Sequence, residues 1–455
     1  MNALSQHGPV VIIGAGPCGS LLAILLAGLG HDVEVFESRP DLRTSVVPAG
    51  RSINLALASR GIAALEEAGV MDEVAKRLIP MRGRMVHVDG SAVFQPYGSH
   101  DSDVIYSVSR GDLNAILLDA AEATGRVHIS FEYRCRSVDL VHRVATFTTH
   151  ASEVDEVSVG YGVVFGTDGA SSALRDALVA HGDSVVSVEP LGHGYKELAI
   201  PAAAGLDPFQ LDPFALHIWP RGQLMLIALA NPNGDFTATL FMPLVGDSDS
   251  FESLNTPELI DDFFDRTFPG VNALVPDLAE QFVGRPTGTL TTIRTAGWNH
   301  GGDALLLGDA AHAIVPFHGQ GMNAAMESCQ VLSRHLASHQ HDLAMAFRAF
   351  EHERKPDVDA IAEMALDNYI EMRAGVMDPS YLIKRQLGLE LERRFPDRIS
   401  PRYNMVMFST MPYSVAQQRA RDQGELLEEL TMGIDSVAEV DFELAARLVS
   451  QLPPL

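Results

Sequence analysis

Hydrophobic positions near the start of the chain follow the order strand, helix, strand. Residues Pro9–Ile13 (PVVII) form a short β-branched run, and His31–Glu37 (HDVEVFE) alternates polar and apolar residues. Between them, Ser20–Gly30 (SLLAILLAGLG) is apolar throughout, but it is much shorter than the roughly 20 residues that span a bilayer. β-branched runs favour strands, and an apolar run of this kind favours a buried helix. The pattern therefore predicts a βαβ unit that opens an α/β fold.

The pattern changes twice further along the chain. Within Gly192–Pro243, the apolar segments ALHIWP, QLMLIALA and FTATLFMP are separated by turn residues such as NPNGD, which is typical of antiparallel strands. After Gly321 the periodicity is helical. Breaks are predicted at Pro356, at Met377–Ser380 and at Phe395–Tyr403, because proline and turn-forming residues such as aspartate and serine end helices.

Composition excludes several classes of function. A chain of 455 residues that is 46% hydrophobic predicts a large core divided between two lobes, and 33 basic against 59 acidic residues give a net charge of −26. That charge repels nucleic acid and anionic lipid. Cys18, Cys135 and Cys329 lack CxxC spacing, so neither a disulfide framework nor a zinc site is expected. We expect a soluble, cytoplasmic protein with no membrane partner, either monomeric or homodimeric.

The first chemical motif is GAGPCG, Gly14–Gly19, which follows a predicted strand and opens a predicted helix. Gly14 permits the tight turn, Gly16 lets the backbone approach a pyrophosphate, and Gly19 lets the helix pack on the sheet. Glu37 ends the second strand at the spacing where a carboxylate accepts ribose hydroxyls. The motif therefore predicts a dinucleotide site; the alternative is a structural glycine turn with a solvated Glu37.

A second motif, DALLLGDAAHAIVPFHGQGMNAA, is a buried strand that ends in an aspartate before a glycine-bearing turn and a helix. Asp309 at the strand end can accept a hydrogen bond from a ribityl hydroxyl. Backbone N–H groups of Gly321 to Asn323 can face an anionic isoalloxazine ring across the helix N-terminus. The alternative is a structural aspartate that caps the helix.

A third segment, GVVFGTDGASSALR, places Asp168-Gly169 between these two motifs. The order GxGxxG, DG, GDAAH resembles the class A flavoprotein monooxygenases with the p-hydroxybenzoate hydroxylase fold. The resemblance implies one FAD surrounded by all three segments, with NADPH as co-substrate and no second dinucleotide domain. It also matches Arg110 to an arginine near the flavin diphosphate, although a helix-start salt bridge is an equal alternative for that residue. The expected cofactor-binding residues are Gly14, Gly16, Cys18, Gly19, Glu37, Ser38, Arg39, Ala56, Arg110, Cys135, Asp168, Ala173, Asp309, Gly321, Met322 and Asn323.

A wider set of segments is similar to the kynurenine 3-monooxygenases. It extends from about Gly14 to Tyr413 and includes GRSINLALASRG, PMRGRMVH, PYG, YSVSRGDLN, HIWPR and NYIEMRA. In that family the arginine of RMxH, the tyrosine of PYG, the asparagine of NYIEMR and a tyrosine before MVxFS hold the amino-acid end of the substrate. The corresponding residues here are Arg84, Tyr97, Asn368 and Tyr403.

The chemistry of these residues suits L-kynurenine. A guanidinium can bind an α-carboxylate through two parallel hydrogen bonds, and tyrosine hydroxyls can add donors. Asn368 and Met372 share a helix face at the i, i+4 spacing. An apolar slot for the ring is expected from Ile227, Leu229 and Phe241, closed on the flavin side by Pro316, Phe317 and His318. Taken singly, a surface arginine, a core tyrosine and a solvent-facing asparagine remain alternatives.

The resemblance implies NADPH- and dioxygen-dependent hydroxylation of L-kynurenine, ortho to the aniline nitrogen, through a flavin C4a-hydroperoxide. No catalytic side chain and no metal are expected, since the cofactor carries the chemistry and the arylamine activates the ring. Alternatives are a substituted kynurenine as substrate, a non-oxygenating FAD reductase of the same fold, or a flavin-dependent sensor.

The expected fold is α/β, with a Rossmann-like FAD-binding domain, an inserted antiparallel-sheet substrate domain and a helical C-terminal region. The FAD-binding domain is expected at residues 1–75, 100–185 and 285–335, and the substrate domain at 76–99 and 186–284. Residues 336–455 are expected to form the helical region and to cover the substrate site.

Overall fold

In the computed structural model, residues 8–44, 54–88, 90–98, 100, 102–149, 152–373 and 379–455 are described. The start of GRSINLALASRG and the last residue of NYIEMRA lie outside them. The chain divides into two compact units. The first comprises residues 1–78, 108–191 and 291–362, and the second comprises 79–107, 192–290 and 363–455. The three-part division expected from the sequence stays a prediction.

The strands are short in the first half of the chain and longer in the middle. They are β1 Val10–Ile13, β2 Val33–Glu37, β3 Asn54–Leu57, β4 Ile79–Met81, β5 Gly83–Val88, β6 Ser91–Pro96, β7 Ile105–Ser109, β8 Val127–Phe131, β9 Tyr133–Asp139, β10 Val144–Thr149, β11 Ser152–Gly160, β12 Val163–Gly166, β13 Val185–Ile200, β14 Ala215–Arg221, β15 Leu224–Ala230, β16 Phe236–Pro243, β17 Gly288–Ala296, β18 Asn299–His300 and β19 Ala304–Leu306.

Helices dominate the C-terminal third. The helices are α1 Pro17–Gly28, α2 Ser59–Glu67, α3 Met71–Ala75, α4 Arg110–Ala123, α5 Ala173–His181, α6 Pro257–Thr267, α7 Val271–Leu274, α8 Leu278–Gly284, α9 Asp309–His312, α10 Gly321–Ser338, α11 Leu343–Arg373, α12 Pro379–Arg394, α13 Arg402–Met407, α14 Tyr413–Thr431 and α15 Phe442–Val449.

The first unit contains a six-stranded sheet in the order β18-β19-β12-β1-β2-β8. β1 lies between β2 and β12 and is parallel to both, with Val10 opposite Val33 and Val163. All four residues of β1 are buried, as expected for a strand covered on both faces. Helix α1 is buried from Gly19 to Ala27 and carries no charge, which explains its continuous apolar sequence. The predicted βαβ opening is therefore present as β1, α1 and β2.

The second unit is organised by a seven-stranded sheet in the order β17-β13-β16-β15-β14-β5-β6. The three predicted strands of Gly192–Pro243 are β14, β15 and β16, which pair antiparallel in sequence order. One face of this sheet forms the core with α6 and α8. Its buried members include Leu226, Ala228 and Leu240 from the strands and Phe263, Phe264 and Phe282 from the helices. Because successive side chains of a strand point to opposite faces, the intervening residues of these strands lie on the other face of the sheet and do not join this core.

The C-terminal helices α12, α14 and α15 share a separate apolar cluster. Leu387 and Leu391 of α12 are fully buried, with Leu426 of α14 and Ala445 of α15 beside them. The gap between α12 and α13 lies at residues 395–401, where a break was predicted. No helix in the described ranges is long and apolar enough to cross a membrane.

The break predicted at Pro356 is wrong, because α11 continues through this residue. A proline inside a helix removes one hydrogen bond and costs about 3 kcal/mol. Arg354, just before the proline, is almost fully buried and pairs with Glu327 of α10 at 2.9 Å and with Asp357 at 3.3 Å. These contacts fix the helix on both sides of the proline, so tertiary packing overrides the local signal.

His87, the last residue of the RMVH segment, has a structural role in the second unit. Its ring stacks on Trp219 at 4.1 Å, and its Nε2 lies 2.9 Å from Nδ1 of His217. His217 Nε2 lies 2.9 Å from the carbonyl of Asp212, which can only accept, so this nitrogen carries the proton. His217 Nδ1 is then the acceptor and His87 Nε2–H the donor. Protonation of His217 Nδ1 would break this hydrogen bond, whereas protonation of His87 would place a charge in a partly buried site beside Arg221.

We predict that this histidine pair makes stability depend on pH. Burial, reinforced by His217 and Arg221, lowers the pKa of His87 to about 4, against about 6.5 in an unfolded chain. As the pH falls, His87 of the unfolded state takes up a proton before His87 of the folded state does. The contribution of neutral His87 to the free energy of unfolding is therefore fully present above about pH 6.5 and is lost as the pH falls towards 4. The loss amounts to at most about 3 kcal/mol.

Urea unfolding of His87→Gln should show a smaller loss of unfolding free energy than the wild type between about pH 7 and about pH 5. His128→Gln is the control, because His128 is exposed on β8. Equal pH slopes for His87→Gln and the wild type would contradict the assignment.

Candidate cofactor and substrate sites

The three glycines of GAGPCG occupy three different environments in the first unit. Gly14 has φ +100°, and a Cβ there would lie 2.6 Å from the carbonyl oxygen of Thr167. At Gly19 a Cβ would lie 2.0 Å from the Gly14 oxygen, whereas at Gly16 it would meet nothing within 4 Å. Gly14 and Gly19 are thus required by the turn and its packing, while Gly16 leaves the backbone open. Helix α1 begins at this opening without a side-chain cap, so its N–H groups suit a phosphate.

Glu37 at the end of β2 is buried and already bound within the protein. Its Oε2 accepts from the Ala15 N–H at 2.8 Å, and its Oε1 accepts from Arg39 Nε at 2.7 Å. Ser38 Oγ lies 3.3 Å from Oε1. Burial would raise the pKa of Glu37, but the bonds from Arg39 and Ala15 outweigh it and lower the pKa. The carboxylate therefore stays charged. The Arg39 N–H and Nη2 also donate to it, so a ribose hydroxyl would have to replace one of the present donors.

The DG segment folds into a turn that caps α5. Asp168 Oδ2 accepts from the Ala173 N–H at 2.8 Å, while its Oδ1 is buried without a hydrogen-bond partner. Burial raises the pKa of Asp168. Burial, and then Asp168, raise the pKa of the Cys135 thiol on β9 to about 12, so it remains protonated. Arg175, which no sequence motif singles out, donates to the carbonyls of Ala170 at 2.6 Å and Ala310 at 3.1 Å, and so joins the DG and GDAAH segments.

Asp309 begins α9 directly after β19, and Arg110 begins α4. Asp309 is exposed by surface area, yet protein atoms crowd its carboxylate; this desolvation raises its pKa, and the charge of Arg110 lowers it. Arg110 is exposed and forms no salt bridge with any described carboxylate. Asp309 and, in the first turn of α4, Asp112 are the acidic residues near this cation, and a further anion such as a diphosphate would offset the unfavourable position of Arg110 at a helix N-terminus. The contact of Arg110 with a diphosphate stays a prediction.

We therefore expect Arg110→Met to weaken FAD binding by about 10- to 100-fold, the value of one lost hydrogen bond to a charged group. The stability of the apoprotein should change little or rise slightly, since the helix loses an unfavourable charge. Flavin fluorescence titration of the apoprotein measures the affinity. Arg126→Met is the matched control, because Arg126 is exposed in the same unit and pairs with Asp32. Equal FAD affinities for the two variants would exclude the contact.

Helix α10 begins at Gly321 with no side-chain cap and no acidic residue in its first turn. Asn323 uses its side chain within the protein. Its Nδ2 donates to the Ala56 and Gly319 carbonyls at 2.8 and 2.9 Å, and its Oδ1 accepts from the Ala58 N–H. Any contact of Asn323 with a flavin would thus come from its backbone, as it would for Gly321 and Met322. This geometry fits an anionic ring at the helix N-terminus.

Two other predicted groups also lie in the first unit. Pro316, Phe317 and His318 form one turn of 3₁₀ helix, in which Phe317 and His318 are buried. Cys18 Sγ lies 3.6 Å from Cys329 Sγ. The hydrogen bond with Cys329 and burial raise the pKa of Cys18 well above its ordinary value, so this thiol is unreactive.

Arg84 lies on β5 in the second unit, with its guanidinium between two tyrosines. Its Cζ is 4.7 Å from the centre of the Tyr403 ring and 5.8 Å from that of Tyr97, and the two rings stack at 5.2 Å. Arg84 is only 9% exposed, which excludes the surface-arginine alternative. Its Nε and the Tyr97 hydroxyl are buried without a hydrogen-bond partner.

The electrostatics of this cluster are those of an anion site. Burial alone would lower the pKa of Arg84, but the surrounding Tyr403, Tyr97 and Tyr381 raise it, so the guanidinium is charged. Burial raises the pKa of Tyr97 and of Tyr403, so both hydroxyls stay protonated and can donate. Among the described residues, no carboxylate pairs with Arg84. A buried cation without a counter-ion is costly, and a ligand carboxylate would remove that cost.

The residues predicted to hold the ring share one face of the sheet. Ile227 and Leu229 are two apart on β15, and Phe241 of β16 lies opposite Met225, two residues before Ile227. All three therefore point away from the core formed with α6 and α8. Leu229 and Phe241 are buried, and Ile227 is partly buried.

Arg84 belongs to that same face. Ile218 of β14 lies opposite Ile227 on one side and opposite Val86 of β5 on the other. Arg84 is two residues before Val86 and so points to the same side of the sheet. The register thus brings the arginine cluster and the apolar positions onto one surface.

Asn368 and Met372 lie one turn apart on α11, and both are buried. Asn368 Nδ2 lies 3.2 Å from Met372 Sδ. Burial excludes the solvent-facing alternative for Asn368, and the shared helix face is as predicted. Their contact with a substrate stays a prediction.

Arg385 of α12 was not singled out from the sequence. It donates from Nη2 to the Pro96 carbonyl at 3.1 Å, next to Tyr97. Burial, and then the charge of Arg84, lower the pKa of Arg385. Its position in a helix with many other charges gives no local signal, so only the folded chain identifies this second cation near Arg84.

Known proteins share the sequence and the fold of this chain. The profile of the FAD binding domain family matches residues 7–189 and 284–365. A kynurenine 3-monooxygenase of Myxococcus xanthus is 48% identical over 99% of this chain and 97% of its own length. One from Stenotrophomonas maltophilia is 46% identical, over 98% and 97% of the two chains. The chain belongs to the kynurenine 3-monooxygenase family.

Solved structures agree on the fold of this kynurenine 3-monooxygenase family member. A 2-methyl-3-hydroxypyridine-5-carboxylic acid oxygenase superposes with TM-score 0.65 at 20% identity, over 82% of this chain and 95% of the other. PqsL of Pseudomonas aeruginosa gives 0.62 at 21% identity, over 80% and 96%. The resemblance to kynurenine 3-monooxygenases and the predicted α/β FAD-binding fold with an antiparallel sheet and helical C-terminal region are confirmed.

Proposed function

We propose that this chain hydroxylates L-kynurenine at the ring carbon ortho to the aniline nitrogen, with FAD as cofactor. The overall reaction converts kynurenine, NADPH, a proton and dioxygen into 3-hydroxykynurenine, NADP⁺ and water. Membership in the kynurenine 3-monooxygenase family supports the proposal. The structural observation that carries it is the buried guanidinium of Arg84, which lies between Tyr97 and Tyr403 and has no carboxylate partner among the described residues.

The substrate complements this cluster. L-kynurenine brings an α-carboxylate, which a planar guanidinium can bind through two parallel hydrogen bonds. The Tyr97 hydroxyl, which is buried without a partner, can donate a further bond to it. The aromatic ring would then lie on the apolar positions Ile227, Leu229 and Phe241 of the same sheet face. Each of these side chains binds or orients the substrate, and none exchanges a proton with it.

When bound, FAD takes a hydride from NADPH and activates dioxygen. The protein has to position the ring and exclude water from the reacting atoms. The amino group of the substrate donates electrons to the ortho carbon, so no side-chain nucleophile is required. Arg84 and the tyrosines therefore select the substrate without taking part in bond formation.

The test is mass spectrometry of products from the FAD-loaded protein, NADPH, L-kynurenine and ¹⁸O₂. We expect 3-hydroxykynurenine with one ¹⁸O atom, together with NADPH oxidation that accelerates on addition of kynurenine. Acceleration without oxygen in the product, or no acceleration at all, would overturn the proposal, and the second result would indicate a reductase. Hydroxylation of a ring-substituted kynurenine with no reaction of kynurenine itself would correct the substrate.

A further inference from the structure

Two histidines and an aspartate form a cluster in the first unit, apart from the residues discussed above. His181 ends α5, Asp183 follows two residues later, and His300 lies on β18. Asp183 Oδ2 is 2.9 Å from His181 Nδ1 and 2.7 Å from His300 Nδ1. One carboxylate oxygen thus faces two imidazole nitrogens, and the three atoms lie within 4.8 Å of one another.

The geometry points to a site for a divalent transition-metal ion of the zinc and nickel class at His181, Asp183 and His300. Such ions bind imidazole nitrogen and carboxylate oxygen at about 2.0–2.2 Å. In a tetrahedral site the ligand atoms are then about 3.3 Å apart. The two Nδ1···Oδ2 distances are about 0.4 and 0.6 Å shorter than that separation, and the two Nδ1 atoms lie within 4.8 Å of each other. Rotation of the three side chains would bring these atoms around one ion.

The backbone around the site is fixed before any ion binds. Gly182 has a left-handed conformation (φ 95°) and ends α5, and the Asp183 N–H donates to the Leu178 carbonyl at 3.0 Å. Ser184 Oγ donates to the Gly297 carbonyl. At Gly297, where φ is +81°, a Cβ would lie 2.1 Å from the backbone carbonyl oxygen of Asp183, so only glycine permits this close approach of the two chain segments. The chain that leads to His300 is therefore held against the loop that carries Asp183.

The donor set selects the type of ion. Magnesium and calcium prefer oxygen ligands, whereas two neutral imidazoles with one carboxylate favour zinc, nickel, cobalt or copper. The side chains of His181, Asp183 and His300 are 41%, 28% and 25% exposed, so an ion can enter and water can complete its coordination. Without an ion, Nδ1 of each imidazole donates to Asp183 Oδ2. On binding, Nδ1 would lose that proton and coordinate the ion, and Nε2 would carry the proton of the neutral ring. The ion would connect the end of α5 with the edge strand β18.

The experiment uses the FAD-loaded full chain after treatment with a chelator. Zinc chloride is titrated in a calorimeter against the wild type, His181→Gln and His300→Gln, with magnesium chloride as a second titrant. The matched control is His142→Gln, because His142 Nδ1 lies 2.8 Å from Asp139 Oδ2 in a similar pair that lacks a second histidine. Addition of cobalt(II) to the wild type tests the site without any substitution.

We expect the wild type and His142→Gln to bind one zinc ion per chain, with no response to magnesium. His181→Gln and His300→Gln should each lower zinc affinity at least about tenfold, because loss of a residue that is only hydrogen-bonded to a metal ligand already costs about 10- to 100-fold in affinity. Cobalt should give the intense visible bands of low coordination number. The inference is overturned if the wild type takes up no zinc, if zinc affinity is unchanged in both variants, or if His142→Gln loses as much. None of these readouts depends on hydroxylation.

Discussion

Arg84→Met should weaken kynurenine binding by about 30- to 5000-fold, which corresponds to the roughly 2–5 kcal/mol lost when one partner of a buried charge pair is removed. FAD should remain bound, because Arg84 lies in the second unit and the cofactor motifs lie in the first. The substrate dependence of NADPH oxidation and equilibrium binding of kynurenine measure the effect.

The same substitution should not lower stability, and this separates a binding role from a structural one. The free protein carries the Arg84 charge without a described carboxylate partner, so methionine removes a desolvation cost while it loses the contacts with Tyr97 and Tyr403. We expect the unfolding free energy to stay within about 1 kcal/mol of the wild type. A structural arginine would instead show a clear loss of stability.

Arg82→Met is the matched control for Arg84→Met. Arg82 is two residues earlier and its side chain is exposed, so kynurenine affinity and stability should both stay at wild-type values. Unchanged kynurenine affinity in Arg84→Met, with FAD bound, would show that the substrate carboxylate does not bind there. Equal losses in the two variants would point to a general charge effect.

Gly19→Ala should have the largest effect on the cofactor site. Its Cβ would lie 2.0 Å from the Gly14 oxygen and 2.5 Å from Thr167 Oγ1. Since the first of these is a backbone atom of the phosphate-facing turn, helix α1 has to move away from it. Such overpacking costs about 1–3 kcal/mol. If this free-energy cost falls entirely on the FAD-bound state, FAD affinity falls about 5- to 150-fold. Flavin release and thermal unfolding can both detect such a loss.

Gly28→Ala provides the comparison within the same helix. Gly28 is exposed, and a Cβ there would meet nothing within 4 Å. Alanine in a helix is favoured over glycine by about 0.5–1 kcal/mol, so this variant should bind FAD normally and unfold at a slightly higher temperature. Normal FAD affinity in Gly19→Ala would mean that α1 can move without disturbing the phosphate site.

Features that depend on neighbouring residues were predicted well. The β-branched run of β1, the apolar α1 and the separate environments of Gly14 and Gly19 follow from local periodicity and from steric rules that need no tertiary information. The same holds for β14 to β16, where alternation also places Ile227 and Leu229 on one face. The motifs and their order also indicated the kynurenine 3-monooxygenase family.

Pairs that are distant in the sequence were not predicted. Helix α11 continues through Pro356 because Arg354 is held by Glu327 of another helix. Glu37 accepts a hydrogen bond from the Ala15 N–H, 22 residues away, which the expectation of a ribose contact did not include. Neither fact has a local signature, since each depends on which side chains the fold brings within hydrogen-bond distance.

By itself, the sequence determined the α/β class, the glycine turn and the residue types suited to a flavin and an amino-acid substrate, because short-range sterics and periodicity act along the chain. Only the tertiary structure decided that Arg84 is buried beside Tyr403 and that His300 meets Asp183 across 117 residues of sequence. Burial and charge compensation are properties of the surroundings in space. They therefore become visible only when the strands and helices are packed.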